Sequence, residues 1–288
     1  MFVLGAEELK SAERILKGLF PESLKVYGCL FNINRGKPYI WEVIADSWPD
    51  FKAIICKPNQ QCRQDYRDRE ATTNMCHVYS RDQDSLLKLL SALLDWSQYT
   101  LLAGIDVKYL DAVKELAAHN NTPTRMEVVM VVMTLDDVSH LKGPDSDLVS
   151  SRLKPLTAAF ADLVDSRGKF KCRESYNSVL TYISDYPSLS VRGPDGAPVS
   201  WVLLYHHGAL GRLHTEPQHR GQGHARTLLR SVARELHAQG RPVYGFVEEG
   251  NAVSFSLFTS LGFTHQPDYR PVWLVLNPEK QASQDPCC

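Results

Sequence analysis

The sequence predicts an α/β protein, of the α+β kind, folded as two domains. Three observations carry this. The chain has 288 residues, about twice what one hydrophobic core usually organises, with 43% hydrophobic and 23% charged residues, as in ordinary globular proteins. Stretches with helical spacing of apolar residues alternate with short β-branched runs in both halves. Between them lies a turn-rich stretch, Lys142-Gly143-Pro144-Asp145-Ser146-Asp147, so residues 1–145 and 146–288 are expected to be the domains. The formal net charge of −1 gives no argument for a nucleic-acid partner. No apolar run approaches the roughly 20 residues of a membrane span. Seven cysteines, an odd number without a C-x-x-C pair, suggest free thiols in a reducing compartment. Cys56, Cys62, Cys76 and His77 match no standard zinc spacing, so no metal is expected. No oligomer signal is legible, and a monomer is expected.

In the first half, Met1 to Phe20 places Leu9, Ala12, Leu16 and Leu19 on one face and reads as an amphipathic helix. It carries Glu7, Glu8 and Glu13, unlike an acid-poor transit peptide. Leu24 to Asn32, Tyr39 to Ile44, Phe51 to Cys56 and Met75 to Tyr79 read as strands, with Pro58 to Thr73 a polar loop. Leu86, Leu87, Leu90, Leu93 and Leu94 mark a buried helix, and Val107 to Ala118 a second. Met126 to Met133, broken only by Glu127, reads as a central strand.

In the second half, helical periodicity over Ser151 to Val164 and at Tyr176, Leu180 and Ile183 predicts two helices. Ser188 to Val191, the turn Gly193-Pro194-Asp195-Gly196 and Val199 to Leu204 predict a hairpin. A strand from Leu210 then empties into Thr215-Glu216-Pro217-Gln218-His219-Arg220-Gly221-Gln222-Gly223-His224-Ala225. Ala225, Leu228, Leu229, Val232 and Leu236 recur at helical spacing, so a helix is expected from about Gly221. The first N–H groups of such a helix lack partners and carry the positive end of its dipole. Two glycines without Cβ let an anion approach, so this turn predicts a phosphate or pyrophosphate cradle. A Walker loop would need Gly-Lys-Ser/Thr, and a Rossmann site G-x-G-x-x-G after a buried parallel strand; neither fits. Strand Val243 to Val247, a helix opened by Asn251, and a last strand Tyr269 to Leu276 complete the chain.

The Gln-x-x-Gly-x-Gly turn between strand and helix, followed by Asn251-Ala252 and Leu261-Gly262-Phe263, resembles the GNAT superfamily of acyl-CoA-dependent N-acyltransferases. Phe20-Pro21-Glu22-Ser23-Leu24-Lys25-Val26-Tyr27-Gly28, Asn32-Ile33-Asn34-Arg35-Gly36 and Asp46-Ser47-Trp48-Pro49-Asp50-Phe51 resemble the N-terminal domain of the glycine N-acyltransferase family. The resemblance covers nearly the whole chain. It implies a C-terminal GNAT fold with a mixed sheet and transfer of an acyl group from acyl-CoA, the co-substrate, to glycine or a similar small amino acid. It also implies a mitochondrial location, with the cytoplasm the alternative. Two other readings stay open: a GNAT acetyltransferase acting on a protein or polyamine, and a non-catalytic acyl-CoA-binding protein.

The transfer needs a held thioester, an amine with a free lone pair and stabilisation of a tetrahedral oxyanion. The resemblance implies that Leu213 and Thr215, on the strand edge, meet the pantetheine arm. Gln218, His219, Arg220, Gly221, Gln222, Gly223, His224 and Ala225 are expected to hold the pyrophosphate. By resemblance Asn251 also contacts pantetheine, and Phe258 abuts the thioester. The base is less legible. The glutamate that the resemblance implies, in a Gly-Glu-x-Arg setting, is replaced by Ala209 within Gly208-Ala209-Leu210-Gly211-Arg212. The tyrosine that many GNAT enzymes use as acid is replaced by Phe258. His206, His207, His214 and Glu216 are nearby substitutes. His214 leads, with Glu216 second, because it sits beside the turn on the strand that should face the thioester.

Overall fold

The computed structural model describes residues 1–37, 41–59, 74–143, 147–168 and 176–280. In chain order the elements are β1 (Phe2–Val3), α1 (Ala6–Lys17), α2 (Leu24–Ile33), β2 (Trp41–Ala45), β3 (Ala53–Pro58), β4 (Met75–Ser80), α3 (Gln83–Leu93), β5 (Thr100–Asp106), α4 (Leu110–His119) and β6 (Thr124–Leu135). There follow α5 (Asp147–Ser150), β7 (Leu153–Lys154), α6 (Ala161–Ser166), α7 (Tyr176–Asp185), β8 (Ser188–Arg192), β9 (Pro198–Leu204), β10 (Leu210–Thr215), α8 (His224–Ala238), β11 (Val243–Glu248), α9 (Ala252–Ser260), β12 (Thr264–His265) and β13 (Pro271–Leu276). The chain forms two compact units, Met1–Val131 joined by the C-terminal segment from Pro267, and Val132–Gln266.

In the first unit β2 pairs antiparallel with β1 and β3, β3 antiparallel with β4, and β4 parallel with β5. Strand β13 is antiparallel to both β5 and β6. The last strand thus joins the first unit, which a division into two consecutive stretches does not express. The period of two along β3 sorts its side chains cleanly. Ile54 and Cys56 pack with α1 and α2, while Ala53 and Ile55 pack with α3 and α4. Helix α1 buries Leu9, Ala12 and Leu16, the face its periodicity predicts. Asp82 caps α3 by accepting from the Ser85 amide at 2.9 Å.

The first family motifs have structural duties here. Asn34 donates to Glu13 Oε2 at 2.7 Å, and Arg35 donates to Glu13 Oε1 at 3.0 Å, tying the end of α2 to α1. Trp48 stacks between Phe2 and Phe51 in the turn that links β2 to β3. Cys29, Cys56 and Cys76 are buried free thiols, while Cys62 lies outside the described residues. Burial, reinforced by neighbouring Cys29, pushes the Cys56 thiol well above its ordinary range.

Several expectations need correction. Leu24 to Asn32 is a helix, not a strand, with all ten residues of α2 buried. A short apolar run carries no period that separates a buried strand from a buried helix. Ser151 to Val164 is not one helix: Leu153 and Lys154 pair with β8, and only Ala161–Ser166 is α-helical. Pro155 explains the break, since it lacks an N–H and keeps the preceding residue extended. Strand β5 went unread because Gly104 interrupts it. Gly104 has φ +99°, and a Cβ there would lie 3.2 Å from the Val78 carbonyl and 3.1 Å from Lys25, so only glycine fits. The polar loop over 60–73 lies outside the described residues.

In the second unit β8 and β9 form the predicted hairpin. Strand β9 is antiparallel to β10, β10 is parallel to β11, and β12 pairs with the end of β6. Helix α8 packs Leu228, Leu229, Val232, Ala233 and Leu236 into the core. It begins at His224, later than the expected Gly221, because Gly221 and Gly223 both take left-handed φ values, +76° and +78°.

Candidate functional site

Strands β10 and β11 meet in parallel register at Leu210 and Gly245. Beyond that pair β10 loses its regular course. Its register with β9 shifts between Gly211 and His214, and Arg212 sits at φ +46°, a left-handed value. A bulge bends a strand and leaves ladder groups unpaired. The half-buried stretch Arg212 to Thr215 follows this shift, and among the described residues β10 pairs with β11 at Leu210 and Gly245 alone. At the meeting point Gly245 is held to glycine by Phe258, whose ring would lie 3.1 Å from a Cβ there. Phe258 packs edge-on against Phe263 with centroids 4.9 Å apart, so it forms the floor where the strands part.

Past Thr215 the chain makes a 3₁₀ turn over Pro217–His219 and then passes the two left-handed glycines into α8. A Cβ at Gly221 or Gly223 would meet nothing within 4 Å among the described residues, so the space over the helix N-terminus is open. Gln218, Arg220, Gln222 and both glycines are exposed, with His219 and Ala225 half-buried. Arg220 Nε donates to the Thr215 carbonyl at 3.1 Å, which anchors the side chain over the turn. This arrangement has the donors, positive dipole and open backbone that a pyrophosphate requires. His224 is different. It is buried, and neither ring nitrogen has a hydrogen-bond partner among the described residues. Burial first, then Arg152 and His219, lowers its pKa below the ordinary histidine value.

Asn251 caps α9, its Oδ1 accepting from the Ser254 amide at 3.1 Å. Replacing it with alanine is expected to cost about 1 kcal/mol of stability, read as a lowered denaturation midpoint.

His214 stacks on Trp201, with ring centroids 4.7 Å apart, and its Nε2 lies 3.9 Å from Glu216 Oε2. The other Glu216 oxygen accepts from Arg167 Nε at 2.9 Å. Burial lowers the His214 pKa; Glu216 opposes this, while Arg220 and Arg167 add to it. The lowered pKa favours the neutral ring, and Nε2 is buried without a hydrogen-bond partner among the described residues, which leaves Nδ1 as the nitrogen to meet an acceptor amine. Ala209 is fully buried just ahead of β10. His206 and His207 are buried in an aromatic cluster with Tyr182, Tyr205 and Phe246. The structure thus brings together His214, Glu216 and the turn, and sets the other two histidines into packing. Sequence reasoning missed Arg167 and Gly245. Arg167 lay in a polar break without periodicity, and Gly245 looked like one more residue of an apolar strand.

The description aralkyl acyl-CoA:amino acid N-acyltransferase fits residues 1–173 as a family model, and FR47-like protein fits residues 191–273. The chain is 29% identical to glycine N-acyltransferase of Rattus norvegicus, over 94% of this chain and 97% of that protein. It is 28% identical to glycine N-phenylacetyltransferase of Bos taurus, over 86% and 90%. Among solved structures, a Drosophila protein superposes with TM-score 0.77 at 19% identity, over 96% of this chain and 98% of that one. A GCN5-related N-acetyltransferase from Kribbella flavida superposes with TM-score 0.53 at 12% identity, over 93% and 95%. These likenesses show the GNAT fold. With matching models in both halves and relatives along its length, the chain belongs to the aralkyl acyl-CoA:amino acid N-acyltransferase family and is an acyltransferase.

Proposed function

We propose that the protein transfers the acyl group of an acyl-CoA to the amine of glycine or a similar small amino acid, giving an N-acylamino acid and CoA. The supporting observation is the placement of the His214 ring, 3.9 Å from Glu216, on the bulged strand directly ahead of the open glycine turn. In this reading the turn over Gly221 and Gly223 holds the pyrophosphate, and Leu213 and Thr215 on β10 meet the pantetheine arm. Phe258 closes the floor under the thioester. Backbone N–H groups freed by the bulge stabilise the oxyanion.

His214 takes one proton from the ammonium of the acceptor, exposing its lone pair. The amine nitrogen attacks the thioester carbon, and the C–N bond forms as the carbonyl becomes an oxyanion. The intermediate collapses, the C–S bond breaks, and CoA leaves as thiolate. The second amine proton passes to solvent, and the thiolate is protonated on release. Glu216, 3.9 Å away, stabilises the charged form of the imidazole by its negative charge.

The relatives named for glycine support this acceptor. The test is CoA release, followed by thiol titration with benzoyl-, phenylacetyl- and acetyl-CoA, each against glycine and a panel of other amines. The expected result is release that depends on glycine or another small amino acid. Release that depends on polyamines or lysine peptides, and not on amino acids, would overturn the acceptor class.

A further inference from the structure

An α-amino acid differs from a plain amine by a carboxylate one carbon away from the nitrogen, so a site that selects it needs a fixed cation near the base. Three arginines approach the outer part of β10. Arg212 is committed: its side chain is 7% exposed, Nη1 donates to the Val164 carbonyl, and Asp165 lies 4.0 Å from Nη2. Arg220 is tied over the glycine turn by its bond to Thr215. Arg167, just past the end of α6, has a half-exposed side chain and is fixed by a single contact, Nε to Glu216 Oε1 at 2.9 Å. Among the described residues its two terminal nitrogens have no partner, and they form the edge of the fork that grips carboxylates.

The two oxygens of Glu216 thereby face two different groups. One oxygen fixes Arg167, and the other lies 3.9 Å from His214. The cation and the base thus flank a single carboxylate, which is bonded to the first and lies 3.9 Å from the second. Glu216 is buried, so this carboxylate is anchored in the core and not at the surface.

We propose that Arg167 binds the carboxylate of the acceptor amino acid and so presents the acceptor's amine to His214. This rests on the amino-acid acceptor proposed above. It makes Arg167 the residue that separates amino acids from plain amines. It also gives the Arg167–Glu216 pair a duty besides stability.

The experiment compares glycine with glycinamide, which keeps the amine and lacks the carboxylate, in the full-length wild type and in Arg167→Gln and Arg167→Lys. Wild type is expected to prefer glycine. Arg167→Gln is expected to raise KM for glycine roughly 10- to 100-fold, the span of one lost charged hydrogen-bond pair. KM for acyl-CoA should stay within about threefold, and the fall in kcat/KM with glycinamide should be at least about tenfold smaller than the fall with glycine. Arg167→Lys, which keeps the charge without the fork, should recover part of the loss. An equal fall with glycine and glycinamide would overturn the proposal, because it would mean that Arg167 acts only through Glu216 and His214. A change confined to KM for acyl-CoA would overturn it too. If wild type acylates no amino acid at all, both the acceptor class and this inference fall; if it does and Arg167→Gln leaves the glycine preference intact, only this inference falls.

Discussion

His214→Ala is expected to lower kcat/KM for amide formation by about 100-fold or more, the usual contribution of a positioned general base. The pH profile should change shape as well. The folded-state pKa of His214 lies below the ordinary histidine value, so its neutral form is already dominant at pH 7. The wild-type profile should therefore rise through a pKa below about 6.5 and add little from that group above it. Without the imidazole, the rate should instead follow the free amine and keep rising through pH 8 and beyond. His214→Gln keeps much of the bulk on Trp201 and serves as the variant that separates packing from proton transfer. A wild-type profile that climbs steadily to pH 10 and is indifferent to both substitutions would mean catalysis by positioning alone.

The second large effect is on stability. Gly262 has φ +100°, and a Cβ there would lie 2.1 Å from the His140 carbonyl oxygen. The oxygen is backbone and a Cβ is fixed in place by its own backbone, so no side chain can swing aside. The clash and the strained φ each cost on the order of 1–3 kcal/mol. Gly262→Ala is therefore expected to lose about 3–5 kcal/mol, enough to unfold a marginal protein. Urea denaturation followed by tryptophan fluorescence measures it. A loss under 1 kcal/mol would show that the turn relaxes and that Gly262 is not sterically required.

This second result bears on what the sequence made legible. Leu261-Gly262-Phe263 stood out as part of a family pattern, yet the reason for the glycine is a carbonyl 122 positions earlier, which no local reading reaches. The glycine turn was legible because its cause is local: two residues without Cβ at the start of a helix. Helices α1, α3 and α8 were legible because each is amphipathic, and the β8–β9 hairpin because its turn residues are specific. Helix α2 was not, since burial on all sides removes the polar half of the pattern, and strand β5 was not, since Gly104 breaks its run. The same limit applies to the site. His214 could be picked out from its place before the turn, but the link through Glu216 to Arg167 spans 49 positions and exists only after α6 folds against β10. The bulge at Arg212 leaves no trace in composition at all. It is a property of the ladder, seen only when β9 and β10 are paired.

The most direct test of the account is product analysis by mass spectrometry, with purified protein, an arylacyl- or acyl-CoA and isotopically labelled glycine. The account predicts labelled N-acylglycine formed one for one with free CoA. Acyl-CoA that is hydrolysed to free acid without label incorporation, or that is bound and never consumed across the acceptor panel, would contradict it.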